Sequence, residues 1–146
     1  MSLCYLGLGS NLKSPRRQLQ IAISALHKCP KSIITDISRT YFNAPMGVRA
    51  QPMFYNIVIA MQTALPPHQL LQYCKKIERN QGRIHKRRWG ARTIDIDILL
   101  YGDISMNKQA LCIPHPQMLK RDFVLIPLLE ISPNARLPNG EAIALS

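Results

Sequence analysis

The segment Thr93-Ile94-Asp95-Ile96-Asp97-Ile98-Leu99-Leu100 narrows the possible folds more than any other part of the chain. Its β-branched, alternating pattern predicts a strand, with Ile94, Ile96 and Ile98 on one face and Asp95 and Asp97 on the other. One face must be buried, and the other must tolerate two carboxylates whose β-carbons lie roughly 6–7 Å apart, given about 3.3 Å of rise per residue. Such a pair repels itself unless a cation lies between its members. Magnesium suits that position, because it takes one or two protein carboxylates and completes its shell with water and phosphate oxygens. Two ions about 3.5–4 Å apart can share such a pair. The competing reading is an amphipathic strand whose polar face is simply wet. Charge decides between them. The chain has eight acidic residues against nineteen basic ones, a net charge of +11. Lys75, Lys76, Arg79, Arg83, Lys86, Arg87, Arg88 and Arg92 crowd just ahead of the pair, with Glu78 the single acid among them. Two of the scarce carboxylates beside that cluster describe a metal–polyphosphate site better than a DNA-binding face.

A chain of 146 residues fits one domain with its own core. Residues 2–9 read as a buried strand ending in Gly-Ser-Asn, and the lack of a basic leader argues against a secretion signal. Ser14-Pro15 offers a cap and a first helical residue, followed by Leu19, Ala22, Ile23 and Leu26 at helical spacing until Pro30. Ile33 to Phe42 reads as one strand, residues 43–52 as a loop, and 54–62 as the strongest strand. Pro66-Pro67 opens a second helix with Leu70, Leu71, Cys74 and Ile77 inward, and Gly82 is a natural stop. A basic loop leads to the strand at 94–101. Short helices follow Pro114-His115-Pro116, and Pro138-Asn139-Gly140 makes a late turn. The order β-α-β-β-α-β predicts an α+β domain: a ferredoxin-like α/β sandwich with a central, mainly antiparallel sheet and helices packed on it. No apolar run approaches the roughly 20 residues of a membrane helix. Cys4, Cys29, Cys74 and Cys112 are scattered, without metal-ligand spacing, and read as small buried hydrophobes in a reducing compartment. A cytoplasmic protein is expected, without membrane contact.

The run Arg88-Trp89-Gly90-Ala91-Arg92-Thr93-Ile94-Asp95-Ile96-Asp97-Ile98-Leu99 closely resembles the signature of the 6-hydroxymethyl-7,8-dihydropterin pyrophosphokinase family of folate biosynthesis. Gly7-Leu8-Gly9-Ser10-Asn11-Leu12, Gln51-Pro52 with Phe54 and Asn56, and Pro114-His115, Arg121 and Phe123 extend the resemblance along nearly the whole chain. It implies a single pyrophosphokinase domain over 1–146 that moves the pyrophosphoryl group of ATP to the pterin hydroxymethyl group and releases AMP. It implies two magnesium ions on Asp95 and Asp97, with Arg83 and Arg92 on the phosphates as further catalytic residues. The nucleotide site would add Leu71, Glu78, Trp89, Ile98, Leu111, Cys112, His115 and Arg121; arginine suits it through its bidentate fork. The pterin would lie between Phe54 and Phe123, read by Asn56, beside Asn43, Ala44, Met46 and Trp89. Glu78 has an alternative as the helix's solvated counter-charge, Leu71, Ile98, Leu111 and Cys112 as core, and His115 as a loop residue fixed between prolines. A monomer is expected, with small-molecule substrates and no nucleic acid. Asn43-Ala44-Pro45-Met46-Gly47 departs from the threonine-proline-proline-leucine-glycine wording common in bacterial members. His85 stands where a second phosphate-directed arginine often occurs, and Ala110 and Pro116 replace polar positions. The rivals are a basic RNA-binding ferredoxin-like module, which would want several aromatics on one sheet face, and an inactive relative.

Overall fold

A computed structural model of the chain describes residues 1–43, 53–82 and 93–145. Strand β1, Ser2–Ser10, leads into helix α1, Pro15–His27. Strands β2, Ser32–Ile37, β3, Tyr41–Asn43, and β4, Phe54–Thr63, follow, then helix α2, Pro67–Asn80, and strand β5, Asp95–Tyr101. A two-residue hairpin pairs β6, Met106–Asn107, with β7, Cys112–Ile113; a 3₁₀ turn at Met118–Lys120 precedes helix α3, Asp122–Ile131. The main sheet runs β2-β4-β1-β5 with every neighbour antiparallel, and β3 continues beside β4 past the end of β2. This is the ferredoxin-like α+β arrangement that the element order predicts.

Alternation along β1 and β4 sorts the interior into two layers. Cys4, Leu6, Leu8, Ile57, Ile59, Met61, Ile96 and Ile98 face the helix layer, where Leu19, Ala22 and Leu26 of α1 and Leu70, Cys74 and Ile77 of α2 meet them. Each fully buried Leu or Ile there contributes about 1.5–3 kcal/mol relative to exposure. On the other face Val58, Leu99 and Leu100 pack on Met118, Leu125 and Leu128. Adjacent residues Leu99 and Leu100 share a layer because the β1–β5 register slips between Tyr5 and Leu6, so strict alternation in β5 ends at Ile98.

Three expectations change. The strand expected over Ile33–Phe42 is two strands. Ile37 lies opposite Ile59 and Tyr41 opposite Asn56, which leaves one residue in excess between them. Ser38 spans the break: its N–H donates to Val58 O at 2.9 Å and its hydroxyl accepts Val58 N–H at 2.9 Å. Ser14 precedes α1 but does not cap it through its side chain. It sits in the left-handed region (φ 61°), and Gln18 instead donates to Ser14 O (3.1 Å) and, through Nε2, to Lys13 O (2.9 Å). Cys112 is half-buried, unlike Cys4, Cys29 and Cys74. Gly82 ends α2 as expected, with φ 84° and its N–H on Arg79 O. Among the described residues no helix is long and apolar enough to cross a membrane.

Candidate active site

The register places a line of functional residues across the sheet. Asp95 lies opposite Gly9, Gly9 opposite Asn56, and Asn56 opposite Tyr41; in the next row Asp97 lies opposite Gly7 and Gly7 opposite Val58. Directly paired residues project to the same face, so both aspartates and Asn56 share the face that carries α3. The expected carboxylate pair is therefore present on one side of β5, with both side chains half-buried. Gly9 keeps the middle of the row low. A β-carbon there would come within 3.1 Å of Asn56 Oδ1 and 3.8 Å of Phe54 Cδ1.

Asn56 is buried, and its Nδ2 donates to Asn43 Oδ1. Phe54 lies opposite Asn43 in the register, two residues along the same face. A cavity of about 370 Å³ joins Asn43 and Tyr41 of β3 to Arg121 and Phe123 at the start of α3. The Arg121 guanidinium stands 5.8 Å from the Phe123 ring centroid and donates to Gln117 Oε1.

The segment carrying His115 is tied to β5, because the His115 N–H donates to Leu99 O at 3.0 Å. The bulge at Leu99 thus serves the site as well as the core. His115 Nδ1 accepts the Gln117 N–H at 3.3 Å, which leaves Nε2 facing Asp97 Oδ2 at 3.8 Å. Burial, and then the nearby Arg121, hold the His115 pKa below its ordinary value against the pull of Asp95. A neutral imidazole with its proton on Nε2 is the form this arrangement favours.

Glu78 is buried on α2, and its Oε2 accepts the Ile96 N–H at 2.7 Å. The reading of Glu78 as a solvated counter-charge is thereby excluded: the carboxylate secures β5 at the residue between the two aspartates. Ser10 holds the residues that lead into this strand, its hydroxyl donating to Thr93 O. Ile98 and Leu111 are core residues on the helix side of β5, Leu71 packs against that core, and Cys112 beside them keeps some exposure. Of the expected site residues, Ala44, Met46, Arg83, Trp89 and Arg92 lie outside the described residues, as do His85, Lys86, Arg87 and Arg88. Gly9 as the floor of the row and Glu78 as a strand anchor were not anticipated. The Gly-x-Gly of β1 was the available signal for the first.

A family model described as 7,8-dihydro-6-hydroxymethylpterin-pyrophosphokinase (HPPK) matches residues 5–133. The chain belongs to the HPPK family. It is 43% identical over 136 residues to the 2-amino-4-hydroxy-6-hydroxymethyldihydropteridine pyrophosphokinase of Pseudomonas aeruginosa, covering 93% of this chain and 84% of that one. The Haemophilus influenzae protein of the same name is 41% identical over 143 residues, covering 98% and 89%. Among solved structures, a Plasmodium falciparum HPPK-DHPS with pteroate matches with a TM-score of 0.77 at 15% identity, over 97% of this chain but 41% of that longer one. At that identity the likeness concerns the fold alone. Membership makes this chain a pyrophosphokinase of folate synthesis and displaces the RNA-binding reading. Tyr55 and Phe42 pack edge to face on the helix side, opposite Phe54.

Proposed function

We propose that this chain, working as one monomeric cytoplasmic domain over 1–146, transfers the pyrophosphoryl group of ATP to the hydroxymethyl oxygen of 6-hydroxymethyl-7,8-dihydropterin. The observation that carries this reading is the row Asp95–Gly9–Asn56 with Asp97 beside it. That row puts two hard oxygen donors and a buried amide on one face, beside α3. The hydroxymethyl oxygen gives up its proton to solvent as it bonds to the β-phosphorus, the bond from that phosphorus to the α–β bridging oxygen breaks, and AMP departs.

Asp95 and Asp97 fit magnesium by donor type and spacing along the strand, and would hold two ions. When bound, magnesium supplies charge neutralisation on the polyphosphate. The protein's share is mainly positioning. Asn56 reads the donor–acceptor edge of the pterin while Asn43 fixes its amide, and Gly9 leaves room for the ring. Phe54 and Phe123 stack on the pterin, worth about 0.5–1.5 kcal/mol per aromatic pair beyond burial. Asn43, Ala44, Met46 and Trp89 complete that subsite. His115 and Arg121 approach the phosphates from the two flanks of the 3₁₀ turn, and Arg83 and Arg92 clamp them. Leu71, Ile98, Leu111 and Cys112 place the adenine on the helix side of β5, near Glu78, so that the nucleotide wraps the strand edge to bring its phosphates to the aspartate face.

The test is incubation with ATP, magnesium and 6-hydroxymethyl-7,8-dihydropterin, with chromatography of the nucleotides. AMP and the pterin diphosphate appearing together are expected. Stoichiometric ADP, or no turnover, would overturn the proposal.

A further inference from the structure

Among the described residues, charge is divided between the two sides of the sheet. Residues 1–35 hold five cations and no acid. Helix α2 adds Lys75, Lys76 and Arg79, and its one acid, Glu78, is buried against β5. By contrast residues 114–145, which build the α3 side, together with Asp95 and Asp97 of β5 on the same face, hold three cations against five acids. The helix layer therefore presents a field of one sign, on the sheet face opposite the aspartate row.

That face is concave as well as basic. A groove of about 500 Å³ runs between α1 and α2, with Arg17, Lys28 and Lys76 on its rim and Ile21, Ala25 and Tyr73 within it. Ile21 is 40% exposed, an uncovered apolar side chain among cations. Across Tyr73 and Lys76 the groove adjoins a second depression of about 550 Å³, whose rim adds Arg79.

We propose that this groove docks an acidic, amphipathic segment of a partner protein, its carboxylates on the rim and an apolar residue over Ile21. The lining favours a peptide over the other polyanions. Nucleic acid is gripped by stacking or by an element that enters a groove. Here the one aromatic in the groove, Tyr73, is pinned by its hydroxyl to Ala25 O at 2.7 Å. A bilayer surface calls for a convex face with several apolar residues to insert, whereas this face is hollow and offers one. A helix laid in a groove between helices uses the geometry that is present.

The experiment titrates the protein into a fluorescein-labelled synthetic peptide of about 20 residues with glutamates on one helical face and leucines on the other. Parallel titrations use a labelled single-stranded RNA and vesicles containing phosphatidylserine, all at physiological salt. Saturable peptide binding that shifts the amide signals of Ile21, Ala25 and Tyr73 is expected. Arg17→Glu/Lys28→Glu/Lys76→Glu should weaken it by about tenfold or more, because rim charges set such encounters, while pyrophosphoryl transfer stays unchanged. Arg136→Glu on the other side should have no effect. Ile21→Glu serves if the triple variant fails to fold: it should weaken the peptide and leave turnover intact. Unchanged binding in the groove variants, equal loss in the Arg136 variant, or RNA or vesicles binding more tightly than the peptide would overturn the proposal.

Discussion

Gly9 has no side chain because the space belongs to Asn56. An added β-carbon would stand 3.1 Å from Asn56 Oδ1, closer than most such contacts, and the amide is already held by Asn43 on its other end. Gly9→Ala is therefore expected to displace Asn56 and raise the KM for the pterin about tenfold or more, since a misplaced buried amide leaves polar groups unpaired. The KM for ATP should stay within a factor of about two, and the melting temperature should fall by only a few degrees, because Gly9 has an ordinary strand conformation and only the amide pairing is disturbed. Equal rises in both KM values would refute the assignment. Asp97 makes a second case. Its side chain is 39% exposed on the site face, so Asp97→Asn removes a charge without opening the core. Transfer should fall by about 10²–10³-fold, as when one preorganised electrostatic contact is removed, while circular dichroism and melting stay near wild type. The aspartate pair was legible because a two-residue period assigns faces directly. The role of Glu78 was not, because helical spacing tells which side of α2 is inward and not that a carboxylate there reaches the Ile96 amide.

Elements were legible where one period ran uninterrupted and were misread where a side chain replaced a backbone partner. The β2–β3 break is the clearest case. Ser38 keeps the ladder to β4 with its hydroxyl, so composition continues smoothly across a point where the register gains a residue. What holds β3 beyond the break comes from far along the chain: Glu130 of α3 accepts the Tyr41 hydroxyl at 2.6 Å and the Arg39 amide at 3.1 Å. No local reading could join residues so distant. The Tyr41 hydrogen bond is the chief reason the Glu130 pKa lies below its ordinary 4.5, with the Arg39 amide adding to it. A carboxylate with a depressed folded pKa contributes stability that is complete above its unfolded value and is lost as pH falls through its folded value. The tie between α3 and β3 should thus weaken below about pH 4.5. Glu130→Gln, which keeps an acceptor but no titration, should show a shallower fall of melting temperature below that pH than the wild type does. Parallel melting curves in the two proteins across the acid range would contradict the assigned tie.

At the scale of the molecule, the sheet order followed from the β-α-β-β-α-β sequence because antiparallel neighbours and short connections leave few alternatives. The sorting of its two faces followed less well, since Leu99 and Leu100 share a layer only through a register slip. The helix-side core contains three of the four thiols, and this allows its integrity to be measured. Cys4, Cys29 and Cys74 are 0%, 4% and 0% exposed, and all three lie in one apolar cluster. Burial pushes the Cys4 pKa up to about 12 and raises those of Cys29 and Cys74 as well, so each lacks both the access and the thiolate that alkylation requires. Cys112 is half-buried on β7, outside that layer. Intact-mass analysis during alkylation at mildly alkaline pH should show one adduct forming quickly, then three together at a rate set by unfolding of the domain. Mild denaturant should accelerate the slow class and leave the fast one unchanged. Two fast adducts would mean that the end of α1, where Cys29 lies, opens independently of the sheet, and the helix layer would then not be the single cooperative unit that its shared core implies.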